Sequence, residues 1–100
     1  MDIELHARKV ADVLGEEVVQ GTINKLVQIE RERCLRQVEK IKEGIDAFEG
    51  RFGKNSDQVW QEYQDGKLGD DADIMEWVML IENLRTLEAQ CDRMAEIQTR

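Results

Sequence analysis

Apolar residues recur along this chain at the spacing of helices, and the breaks between the recurrences fall at glycines. Ile3, Ala7, Val10 and Leu14 stand 4, 3 and 4 residues apart, one face of a short helix. Gly15 follows as its C-terminal cap, because glycine takes a positive φ at no steric cost. Val18 and Val19 then fall in a turn or short helical piece closed by Gly21. Thr22 is the expected N-cap of the longest element. From there Val27, Cys34, Val38, Ile41, Ile45, Phe48 and Phe52 keep spacings of 7, 4, 3, 4, 3 and 4, broken only by Arg31. That heptad pattern predicts a helix packed along another helix at a shallow angle. Gly44 and Gly50 lie off the seam and are expected to weaken the helix by about 1 kcal/mol each relative to alanine. Gly53 is the expected stop.

Beyond it, Ser56 is read as the cap of a short helix carrying Val59, Trp60 and Tyr63 on its apolar side. The connection Gly66-Lys67-Leu68-Gly69 predicts a tight turn. Asp70 or Asp71 caps the last helix, where Asp73 and Glu76 complement the positive end of the helix dipole. Its seam is Trp77, Leu80, Leu84, Leu87, Cys91 and Met94. The fold expected is all-α, a long antiparallel helical hairpin with a short connecting helix and a short N-terminal helix. One helical domain covers 1–100, with an arm at 1–21 and helices at 22–52, 56–65 and 71–99.

Pairing the seams has one checkable consequence. With Phe52 level with Ile74 at the closed end, counting back along both helices sets Cys34 beside Cys91. A redox switch or half of a metal site is one reading of that pair. The plainer expectation is two small core residues, since axes about 8–10 Å apart make a relaxed disulfide awkward.

A helix of about 30 residues extends about 45 Å. A compact globule of 100 residues has a radius of gyration near 13 Å, so the hairpin is longer than such a globule is wide. The last helix also has more than one stripe to cover. Between Ile74 and Ile81 every residue but Glu76 is apolar, and a helix apolar all round is normally buried all round. Trp60, Ile74, Met75, Trp77, Val78, Met79 and Ile81 are therefore the expected partner interface, closed by a second copy into a dimeric helical bundle. A monomer whose N-terminal helix folds back over the stripe is the alternative.

Charge narrows the partners. The net charge is -8, with no proline and 36% charged residues. It is uneven, residues 1–53 carrying -2 and residues 54–100 carrying -6. Phosphate binding needs clustered Lys and Arg, so nucleic acid is disfavoured as the main partner. No apolar run approaches the ~18 residues needed to cross a bilayer. No signal peptide is visible and two cysteines do not make a secreted disulfide scaffold, so the cytoplasm is the expected compartment.

Groups suited to chemistry are few. His6 is the only histidine, and neither a glycine-rich phosphate loop nor a paired Cys-x-x-Cys motif occurs. No catalytic residue, metal ligand or cofactor is assigned. Carboxylates alone are in supply: Glu39, Glu43 and Asp46 share one helix face, and Asp70, Asp73 and Glu76 crowd the start of the last helix. This arrangement resembles the all-helical nucleotide pyrophosphohydrolases, which hold magnesium with Glu-x-x-Glu and Glu-x-x-Asp pairs on facing helices. It departs from them in that Glu39 and Glu43 are four apart and Lys40 and Lys42 lie among them. A magnesium-dependent enzyme of that kind is the second alternative; the first is a DNA-binding regulator in which residues 1–27 form a helix-turn-helix with Arg8, Lys9 and Lys25. Asp12, Glu16 and Glu17 offset those three cations.

Another resemblance rests on punctuation. Phe52-Gly53-Lys54-Asn55-Ser56, then Trp60, Gly66-Lys67-Leu68-Gly69-Asp70-Asp71 and Glu76-Trp77 resemble a pattern of small prokaryotic all-helical proteins, often encoded beside a toxin-like partner and suspected to be antitoxins. The resemblance spans residues 22–95 and implies a non-enzymatic, partner-binding protein, either homodimeric or bound to a toxin-like protein.

Overall fold

In a computed structural model that describes residues 2–98, the helix-forming composition is expressed nearly throughout. The chain folds as α1 (Ile3–Leu14), α2 (Glu16–Phe52), α3 (Ser56–Gln64) and α4 (Ala72–Gln98). The expected ends of the arm at residue 1 and of the last helix at 99 lie outside the described residues.

The starts and stops follow local chemistry. Asp2 caps α1, its carboxylate accepting from the Leu5 N–H at 3.2 Å. Gly15 closes α1 with φ +94° and its N–H donating to the Ala11 carbonyl. Gly53 ends α2 in the left-handed region, φ 62° and ψ 29°, its N–H donating to the Glu49 carbonyl. Asp71 caps α4, its Oδ1 accepting from the Asp73 N–H at 2.8 Å.

Two expected boundaries are corrected. The long helix begins at Glu16 and runs through Gly21 without a break, and Thr22 is an interior residue whose hydroxyl donates to the Val18 carbonyl at 2.9 Å. One glycine costs a helix about 1 kcal/mol, too little to stop a segment flanked by good helix formers. The cap of α3 is Asn55, which accepts from the Asp57 N–H at 2.7 Å. Ser56 is released for another task described below.

The hairpin is antiparallel. α4 packs along the C-terminal two thirds of α2, and α3 lies across α4 at the closed end. There Ile45, Val59, Trp77, Val78 and Ile81 form the main core, flanked by Ile41, Phe48, Phe52, Leu80 and Leu84. The Trp77 ring lies 5.8 Å from Phe48 and 5.8 Å from Phe52, near-parallel to both. A smaller cluster of Cys34, Val38 and Cys91 holds the open end with Leu84, Leu87 and Met94. Every residue of both expected seams is buried or half-buried.

Cys34 and Cys91 are joined by a disulfide, with Cα atoms 6.0 Å apart. The predicted register is correct, but the expectation of an awkward disulfide is not. Facing Cα atoms each sit about 2.3 Å inside their helix axes. Axes about 8–10 Å apart therefore leave facing Cα atoms within bridging range.

Gly44 is likewise corrected. It faces α4, and a Cβ there would meet Leu80 Cδ1 at 3.1 Å. Gly50 has nothing within 4 Å of such a Cβ.

The molecule measures 59 × 24 × 20 Å with a radius of gyration of 19.7 Å. Its length is that of α2, whose 37 residues span about 55 Å. Since α2 is ten residues longer than the 27-residue α4, its first third projects past the hairpin. α1 folds against that projection after a connection of one residue, Gly15. No described helix is long and apolar enough to cross a membrane.

Candidate interaction surface

The seven residues expected to form an interface separate into three environments. Trp77, Val78 and Ile81 are core, and Trp77 is 0% exposed. They are not available to a partner, which corrects their assignment. Ile74 and Trp60 are half-buried against the same core. Met75 and Met79, 37% and 61% exposed, stay on the outer face of α4.

The reason is α3, together with the aromatic end of α2. Val59 reaches the core from α3 and is itself fully buried. Ser56, one helical turn earlier, accepts the Trp77 indole N–H at 2.9 Å, so the one polar atom of that ring enters the core satisfied. Arg85 stands 4.6 Å over the Trp60 ring, and Trp60 contacts Tyr63 at 5.7 Å. Apart from Met75 and Met79, the stripe is thus covered by the chain's own α2 and α3 rather than by the N-terminal helix.

The surface left uncovered lies at the opposite end. α1 has no buried residue. Ile3, Leu14, Val18, Ile23, Leu26 and Ile29 are each between 41% and 83% exposed. Val10, Leu14, Val18, Val19, Thr22 and Ile23 line a groove between α1 and α2. Val18, Thr22, Leu26 and Ile29 stand at spacings of 4, 4 and 3, a second apolar lane on α2 apart from the hairpin seam. That lane is present in the sequence, but starting the long helix at Thr22 cuts Val18 from it.

Groups for chemistry are not gathered. Glu39, Glu43 and Asp46 are exposed along α2. Asp73 accepts from Arg51 at 2.8 Å. Among the described residues, no three His, Cys, Asp or Glu side chains are placed to hold one metal ion. His6 is exposed on α1, and its backbone N–H donates to the Asp2 carbonyl. The single-residue connection at Gly15 is shorter than the 3–4-residue turn of a helix-turn-helix, and Arg8, Lys9 and Lys25 are spread on an otherwise acidic arm.

Comparisons with protein families, with curated proteins and with solved structures give no match to this chain.

Proposed function

We propose that this chain is a non-enzymatic protein–protein interaction module whose contact surface is the arm formed by α1 and the first third of α2. The observation that carries this reading is that α1 buries no side chain while the arm holds eight exposed aliphatic residues, Leu5 and Val13 among them. A helix of α1's 12 residues is marginal in water, and most helical stability comes from packing an apolar face. The hairpin supplies a rigid base, closed by its aromatic core at one end and its disulfide at the other. The arm extends from that base with its apolar lanes open, which suits it to receiving another protein. Self-association and binding of a toxin-like protein, the latter implied by the antitoxin-like resemblance, are two forms of this same activity.

A photoreactive amino acid placed at Val18 or at Leu26 of the full chain, expressed in its native host, tests the reading. A discrete protein adduct is expected from both positions and none from exposed Gln61 on α3. If neither arm position yields a discrete adduct, the arm is not an interaction surface.

A further inference from the structure

We infer that the occupant of the arm is a second copy of this chain, packed about a two-fold axis so that two α1 helices and two α2 first thirds close into a four-helix core. The inference rests on the interaction-module reading and adds the partner and the face.

Area is the first argument. Ile3, Leu14, Val18, Ile23, Leu26 and Ile29, at roughly 100 Å² per fully exposed aliphatic side chain and weighted by their exposures, offer on the order of 350 Å² of apolar surface per chain. Homodimer interfaces are about 65% apolar. The patch with its polar border therefore corresponds to about 540 Å² per chain, or about 1,100 Å² in total. That clears the roughly 1,000 Å² expected of a biological interface and falls among the weak, reversible ones below about 1,200 Å².

Self-complementarity is the second. A two-fold interface joins one patch to itself, so the patch must match its own rotated image. An apolar lane does. The charges beside it do as well: Glu16 and Glu17 stand at the start of α2 and Lys25 lies more than two turns further on. An axis perpendicular to α2 between them sets the acidic end of one copy against the lysine of the other. A parallel arrangement would instead align carboxylate with carboxylate. The same carboxylates, with Asp12, repel nucleic acid and anionic lipid.

The placement also differs from that suggested by the stripe on α4. Sedimentation equilibrium of the full chain separates the two. The unsubstituted protein is expected to be a dimer with micromolar dissociation. Leu26→Glu and Val18→Glu, each present twice in a two-fold interface, are expected to weaken it by at least about 100-fold, with helicity retained by circular dichroism. Met79→Glu, on the outer face of α4, is expected to leave it unchanged. A protein still monomeric at about 50-fold above the micromolar range overturns the second copy, as does a dimer broken by Met79→Glu and not by Leu26→Glu. The photo-adducts keep the two readings apart. An adduct of twice the chain mass supports the second copy. An adduct of any other mass retains the interaction module and overturns self-association.

Discussion

Replacing Ser56 by alanine tests whether the core at the closed end depends on a single hydrogen bond. The Trp77 ring is fully buried, and its indole N–H donates to Ser56 Oγ at 2.9 Å. Removing the acceptor leaves a buried donor unsatisfied, at a cost of about 1–3 kcal/mol. Alanine is a better helix former than serine by a few tenths of a kcal/mol, which offsets a little of the loss. The net expectation is about 1–2 kcal/mol. For a domain of this size, each kcal/mol lowers Tm by about 4–8 °C. A capping role for Ser56 predicts a loss of similar size, so the single variant does not separate the two explanations. A double-mutant cycle does. Trp77→Phe itself costs up to a few kcal/mol through lost packing, but it removes the N–H by replacing the indole with a phenyl ring. In that background Ser56→Ala is expected to cost less than about 0.5 kcal/mol, leaving a coupling of about 1–2 kcal/mol. Asn55→Ala, which removes the observed cap, is expected to cost about 1 kcal/mol in both backgrounds. Urea unfolding followed by circular dichroism supplies all of these values. Equal Ser56→Ala penalties with and without the indole would refute the account of how Trp77 is accommodated.

Other measurements address the hairpin. Gly50→Ala is expected to stabilise by about 0.5–1 kcal/mol, since nothing lies near the new methyl, whereas Gly44→Ala must displace Leu80 and is expected to gain less or to lose; equal gains in urea melts would show that α2 and α4 are not in close contact there. Reducing the Cys34–Cys91 bridge, which joins residues 57 apart, is expected to cost about 4 kcal/mol from unfolded-chain entropy. Superimposable melts with and without reductant would refute that estimate. Arg51 pairs with Asp73 at 2.8 Å and stands 5.0 Å over Phe52, yet both charged side chains are well exposed. Arg51→Ala is therefore expected to cost about 1 kcal/mol or less, shrinking further with added salt.

Much of the architecture was legible along the chain because helices are specified locally. The 3–4 spacing names the faces of α2 and α4, Gly53 ends one helix where a positive φ is required, and Asp71 starts another. Even the level at which Cys34 meets Cys91 follows once Phe52 is set level with Ile74, since both helices rise uniformly. The candidate surface was less legible. An apolar helix circumference calls for cover, but the sequence does not say whose atoms supply it. Val59 and Ser56 belong to a nine-residue helix, and only their position in space turns them into a lid and a hydrogen-bond acceptor for Trp77.

What the sequence determined by itself was therefore the set of elements, their apolar faces and the pairing of the two long helices, all of which arise from interactions a few residues apart or from uniform helical rise. What the tertiary structure decided was which apolar face remains uncovered. Three-dimensional packing buried Trp77, Val78 and Ile81 within the chain. It left the arm open because the described α4 packs only along the C-terminal two thirds of α2.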